Sequence, residues 1–122
     1  EICACLVGSE MCIRDRAKRH GFRTFASVEP IPVGMFDRAF SVIALSYPFV
    51  DLFKIGLQSG CRYTKRETLM FYNDVFGYWE AHPDKTPRIY WKDSFIRASG
   101  IERETLPGYC VPANWDLFNE KK

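Results

Sequence analysis

Strand-like and helix-like segments alternate along this chain, and that alternation limits the folds it can adopt more than any other feature. Residues 22–31, 49–60 and 88–95 are rich in the β-branched and aromatic residues that favour strands. Between them, residues 34–47 and 64–79 carry apolar residues at helical spacing. Helices of this length return each strand parallel to the one before it. We therefore predict an α/β fold built on a parallel βαβαβ sheet, either open or closed into a barrel.

Prolines predict where the first two elements end. A central strand interior does not tolerate proline, so Pro30 and Pro32 predict that the first strand finishes near Glu29. Pro48 is predicted to stop the first helix, because proline cannot continue a helical hydrogen-bond ladder. The apolar stripe of that helix is Phe36, Phe40, Ile43 and Tyr47.

The second helix has the clearest start signal in the chain. Thr64-Lys-Arg-Glu67 is a capping box, in which the Thr and Glu side chains satisfy each other's backbone N–H groups. A short third helix is predicted to follow the last strand and to end at Gly100. The predicted core stripe of the second helix is Leu69, Tyr72, Phe76 and Trp79.

Strand alternation places several polar side chains on one face of the predicted sheet. These residues lie toward the carboxyl ends of their strands, where parallel α/β folds place their ligands. A buried charge without a partner is costly, so the set predicts either a ligand site or a structural Glu–Lys ion pair. The residues are Ser27, Glu29, Lys54, Lys92 and Ser94.

The motifs S-x-E-P, VD-x-x-KIG and YWKDS on the three predicted strands carry a family resemblance. Residues 21–99 resemble the C-terminal third of radical S-adenosylmethionine proteins, in particular a bacterial and phage-associated group related to spore photoproduct lyase. The resemblance implies a truncated TIM-type barrel. It also implies S-adenosylmethionine and a 4Fe–4S cluster as cofactors of the intact parent protein, together with an electron donor, and this fragment alone is not expected to hold either cofactor. The cluster would cleave S-adenosylmethionine reductively to a radical that attacks an unknown substrate, for which nucleic acid is a candidate.

The same resemblance implies six cofactor-binding positions, two for each strand. The pair on the first strand is implied to contact the ribose or methionine part of the cofactor. The second pair is implied to lie near the adenine, and the third to contact the cofactor carboxylate or the substrate. In strand order these are Ser27 and Glu29, Lys54 and Gly56, and Lys92 and Ser94.

The first sixteen residues contain three of the five cysteines of the chain. Cys3, Cys5 and Cys12 fit neither a common zinc spacing nor the C-x-x-x-C-x-x-C triplet of a radical iron–sulfur site. Residues 1–16 instead resemble a short-read sequencing adapter translated in frame, with Leu6–Arg16 as the clearest part. We therefore expect residues 1–16 to be a disordered artefact. The cluster-binding cysteines are then expected in a missing upstream region, which leaves the fragment itself inactive.

The remaining chain is predicted to have two parts. Residues 17–99 form the partial barrel, and residues 100–122 form an irregular tail that packs on its exterior. Two prolines interrupt this tail, so it is predicted to lack long regular elements. Its predicted anchors are Tyr109, Trp115 and Phe118.

Composition and charge leave two alternatives open. The chain has no apolar run of about 18 residues and no secretory signal, so we predict a cytoplasmic protein without a membrane partner. One alternative is an aldolase-like barrel in which Lys92 or Lys54 forms a Schiff base. The other is a non-catalytic, phage-related module that binds nucleic acid through Lys54, Lys92 and Arg88.

Overall fold

The computed structural model describes residues 23–82 and 87–117 as a parallel sheet with helices packed on it. The strands, hydrogen-bonded in the order β1-β2-β3 and all parallel, are β1 (Phe25–Ile31), β2 (Leu52–Leu57) and β3 (Arg88–Trp91). The helices are α1 (Phe36–Ser46), α2 (Lys65–Ala81) and α3 (Asp93–Ser99), with 3₁₀ turns at Tyr47–Phe49 and Arg103–Thr105. The predicted α/β class with a parallel sheet is confirmed. No helix of the described segments is long and apolar enough to cross a membrane.

The hydrophobic core lies between the helices and one face of the sheet. Alternate residues of each strand point to this face and are buried, as the pleat of a strand requires, up to the irregularity at the end of β1. The strands contribute Ala26, Val28, Phe53, Ile55, Ile89 and Trp91. The helices contribute Ala39, Ile43, Phe71, Val75, Trp79 and Phe95. No helix of residues 23–82 and 87–117 packs on the opposite face, which carries the predicted site residues of β1 and β2 and is called the helix-free face below.

Helix α2 begins as predicted but buries a different stripe. Thr64 accepts from the Glu67 N–H at 3.1 Å, and Glu67 accepts from the Thr64 N–H at 2.6 Å, which confirms the capping box. Phe76, predicted to be in the core, is 38% exposed, whereas Trp79 is fully buried. The prediction was therefore wrong for Phe76, because a second apolar stripe of the same helix faces the sheet. That stripe is Thr68, Phe71, Val75 and Trp79.

Strand β1 runs two residues further than predicted. It continues to Ile31, and its register with β2 shifts between Val28 and Ile31. Pro30 lies within this irregularity, after a cis Glu29–Pro30 peptide bond. Proline is tolerated here because β1 is an edge strand of the described sheet and the regular ladder is already interrupted.

Strand β3 is shorter than predicted. Its ladder ends where the Lys92 N–H donates to the Ile55 carbonyl at 2.8 Å, and α3 begins at once. Ser94 therefore lies in the first turn of α3, and its predicted place on the strand is wrong. The helix ends as predicted at Gly100, whose φ of +74° is the left-handed conformation that glycine adopts without strain.

The C-terminal tail adds a short parallel bridge to β3. The Ile89 N–H donates to the Tyr109 carbonyl at 3.0 Å, and the Val111 N–H donates to the Ile89 carbonyl at 2.8 Å. The Tyr109 ring stacks on Trp79 with ring centroids 6.1 Å apart. Residues 111–117 then border the helix-free face, where Leu117 is buried. Phe118 and the predicted artefact at residues 1–16 lie outside the described residues.

The tail also carries a largely buried thiol, Cys110, whose raised pKa predicts that the fold loses stability at alkaline pH. Burial raises the pKa of Cys110 from 9.0 to about 11, against a smaller opposing effect of the Trp91 indole N–H. The folded state then keeps a proton that the unfolded state loses, so the stabilisation is complete below pH 9 and disappears toward pH 11. We expect the free energy of unfolding to fall by about 1–3 kcal/mol over this range.

Urea denaturation at pH 8 to 11 measures this effect. In Cys110→Ala the fall should be smaller, whereas the contributions that come from burial of the tyrosines remain in both proteins. Burial also raises the pKa values of Tyr72 and Tyr109, so their effect has the same sign but begins nearer pH 10. Parallel pH profiles for the two proteins would contradict this role of Cys110.

Candidate functional site

An ion pair spans the helix-free face at the carboxyl end of the sheet. The Lys92 ammonium lies 2.5 Å from Glu29 Oε1, and the Ser27 hydroxyl donates to Glu29 Oε2 at 3.3 Å. Both carboxylate oxygens are therefore held by side chains that the sequence predicted to share this face. Ser27 and Glu29 come from β1, and Lys92 follows the last residue of β3. We call these three residues the Ser27–Glu29–Lys92 cluster.

Gly56 lets Lys92 reach Glu29. The lysine starts at the end of β3 and must cross β2, the central strand, to reach β1. It crosses at Gly56, where a Cβ atom would lie 2.9 Å from Lys92 Cδ and 3.3 Å from Cγ. Real Cβ atoms do not approach this closely, so a side chain at position 56 would displace the lysine. The glycine is thus explained by close packing under the Lys92 stem.

The other two predicted site residues lie elsewhere. The Lys54 ammonium sits 4.5 Å from the centroid of the Phe25 ring and lines a cavity between the sheet and the tail, beside Tyr90 and Trp115. The Ser94 hydroxyl oxygen accepts from the Leu57 N–H at 3.1 Å and thereby ends β2. The structure thus joins four of the six predicted residues and separates Lys54 and Ser94 from them.

The solvent exposure of the cluster limits how much it can stabilise the fold. The Lys92 and Glu29 side chains are 41% and 23% exposed, so solvent screens their attraction. An ion pair of this kind stabilises a fold by less than about 1 kcal/mol. The cluster is better suited to binding a polar ligand, because its accessible carboxylate can accept hydrogen bonds and its accessible ammonium can donate them.

Tyr63 was missed by the sequence reasoning. Its hydroxyl donates to the Ile31 carbonyl and accepts from the Gln58 N–H at 3.0 Å, so it ties the loop after β2 to the end of β1. It lies in a loop, where neither helical nor strand periodicity identifies a role. Its position immediately before the capping box was the one local signal.

Neither a metal-ligand group among the described residues nor a similar known protein indicates a function for this site. In residues 23–82 and 87–117, no three His, Cys, Asp or Glu side chains gather as a metal site. Comparisons of the chain with protein-family models, characterised proteins and solved structures find no match. Function is therefore inferred from the cluster itself and from the motifs that supply its residues.

Proposed function

We propose that this chain is the C-terminal βαβαβ part of a TIM-type barrel in a radical S-adenosylmethionine protein. In this proposal Ser27, Glu29 and Lys92 contact S-adenosylmethionine. The observation that supports it is the accessible Ser27–Glu29–Lys92 cluster at the carboxyl end of a parallel sheet, on the helix-free face. Parallel α/β folds bind ligands at this edge. The S-x-E-P and YWKDS motifs supply all three residues.

The cluster offers groups that suit this cofactor. The Glu29 carboxylate and the Ser27 hydroxyl can accept from ribose hydroxyls, and the Lys92 ammonium can pair with the methionine carboxylate. The space beside Gly56 is filled by the Lys92 stem, so we assign Gly56 to positioning this lysine rather than to the adenine. When bound, S-adenosylmethionine would supply the radical that starts the reaction on the substrate.

The iron–sulfur cluster does not fit the described residues. Such a cluster is held by cysteine thiolates, three of them in the family that the motifs resemble. Cys61 and Cys110 are the cysteines of the described segments, and they do not belong to a group of three metal-ligating side chains. We therefore assign the cluster to an upstream part of the parent protein, and the electron donor is a separate partner of that intact protein.

The two alternatives have less support from the geometry. A Schiff-base lysine is activated by desolvation, but Lys92 is 41% exposed and paired with a carboxylate. A nucleic-acid surface needs its cations on one patch, but Lys54 lies over Phe25 and Lys92 is engaged by Glu29. Neither arrangement favours these functions over cofactor binding.

Calorimetric titration of the full chain with S-adenosylmethionine tests the proposal. The family resemblance does not predict a cofactor on this fragment alone, but the assembled Ser27–Glu29–Lys92 cluster leads us to expect saturable binding. Glu29→Gln and Lys92→Met should each weaken this binding about tenfold or more, the usual cost of a lost charge-assisted hydrogen bond. Lys54→Met is the matched control, because it removes the same charge from the same face and should leave the affinity unchanged. Gly56→Ala should weaken binding as well, since its Cβ would push Lys92 away from Glu29.

Equal weakening by the two lysine variants, or no saturable binding, would count against this assignment.

A second test concerns the parent gene. Longer reading frames that encode the same βαβαβ segment should carry C-x-x-x-C-x-x-C upstream of it. Reading frames without that cysteine triplet would contradict the radical S-adenosylmethionine hypothesis.

A further inference from the structure

A separate cavity lies at the carboxyl end of β2, between the loop that follows this strand and α3. Its volume is about 390 Å³, within the range of small-molecule sites. Its polar lining is Gln58, Ser59, Cys61, Tyr63, Ser94 and Arg97. Ser27, Glu29 and Lys92 do not line it. The cavity is therefore lined by residues other than those of the proposed S-adenosylmethionine site.

The charge of this cavity is positive and unbalanced. Of the described residues that line the cavity, Arg97 is the one that is charged, and none is a carboxylate. Among the described residues, no carboxylate lies within ion-pair distance of Arg97. Arg103, by contrast, pairs with Asp93 at 2.5 Å. An arginine without a partner at the wall of a cavity is suited to an anionic ligand.

The loop that forms the wall is held in place before any ligand arrives. The Tyr63 hydroxyl donates to the Ile31 carbonyl at the end of β1. The same hydroxyl accepts from the backbone N–H of Gln58, which lies in the loop itself. The Ser94 oxygen accepts from the Leu57 N–H, which leaves the hydroxyl hydrogen able to donate. The Ser59 hydroxyl and the side-chain amide of Gln58 add further donors at the same wall. A fixed loop reduces the entropy lost when a ligand binds.

We propose that this cavity binds the phosphate group of a small molecule. The Arg97 guanidinium can pair with two phosphate oxygens through parallel N–H groups. The Ser94 and Ser59 hydroxyls can donate to the remaining oxygens. A carboxylate has only two oxygens and one charge, so the number of donors matches a phosphate better.

Cys61 provides a reporter, because its exposed thiol lines the same cavity. In the full chain, the rate of Cys61 alkylation by neutral iodoacetamide is measured by mass spectrometry of the tryptic peptide 55–62, or of peptide 55–65 where Arg62 is replaced. Cys61 is the only cysteine of either peptide. Inorganic phosphate should slow this reaction several-fold and saturably, whereas sodium chloride at the same ionic strength should not. Arg97→Met should raise the dissociation constant for phosphate about tenfold or more.

Arg62→Met is the matched control, because Arg62 is exposed in the same loop but does not line the cavity, and phosphate should still protect Cys61 in this variant. Lys92→Met should also keep the protection, which separates this site from the proposed cofactor site. Equal slowing by chloride, or full protection in Arg97→Met with an unchanged circular dichroism spectrum, would overturn the inference.

Discussion

Replacing Trp79 with alanine is expected to lower the free energy of unfolding by about 3–5 kcal/mol, the usual cost of truncating a buried aromatic residue. Trp79 is fully buried, and its ring centroid lies 4.9 Å from that of Tyr47 and 5.5 Å from that of Phe53. Its indole N–H donates to the Pro87 carbonyl at 2.9 Å. The variant loses contacts to the end of α1, to β2 and to the tail together. Urea denaturation followed by circular dichroism measures the change.

Phe76→Ala is the matched control on the same helix. Phe76 is 38% exposed, so its removal is expected to cost less than about 1 kcal/mol. This pair decides which apolar stripe of α2 faces the sheet. Equal losses in the two variants would mean that the helix is rotated relative to the packing described above.

Asp51→Ala is expected to lower the free energy of unfolding by about 1.5–3 kcal/mol, because it leaves a buried backbone donor without its charged acceptor. Asp51 Oδ2 accepts from the Thr24 N–H at 3.0 Å, and Thr24 is fully buried. The backbone of Asp51 also bonds to Thr24 and to Arg88, which joins all three strands at the amino edge of the sheet. The substitution keeps those backbone bonds and removes only the carboxylate.

Two further variants test the cause of that loss. Asp51→Asn keeps one side-chain oxygen as an acceptor and should lose less stability than Asp51→Ala, as measured by urea denaturation. Asp74→Ala removes a carboxylate from the exposed face of α2 and should change stability by less than about 0.5 kcal/mol. A loss at Asp74 as large as that at Asp51 would contradict a specific role for the Thr24 contact.

Local signals predicted the elements well where a short motif contains its own physical cause. The Thr64–Glu67 capping box and the Gly100 stop depend on residues within one helical turn, so the sequence alone was sufficient. The bounds of β1 and β3 were less accurate. Pro30 is accommodated by a register shift against β2, and the end of β3 depends on a hydrogen bond to Ile55. Neither partner is near in sequence.

The candidate site shows the same division. Strand alternation correctly placed Ser27 and Glu29 on one face and predicted that a lysine would share it. Alternation could not predict whether Lys54 or Lys92 pairs with Glu29, because the pairing depends on which side chain can reach Glu29 past its neighbours in the sheet. Gly56 opens the path for Lys92, whereas Lys54 turns toward Phe25.

The sequence by itself determined the parallel α/β class, the capping of α2 and the polar character of one sheet face. Periodicity and capping are properties of neighbouring residues, so they can be read without the fold. Only the tertiary structure decided which stripe of α2 is buried, which lysine pairs with Glu29, and that Arg97 has no carboxylate partner among the described residues. These depend on distances between residues far apart in the chain, and such distances exist only after the helices pack on the sheet.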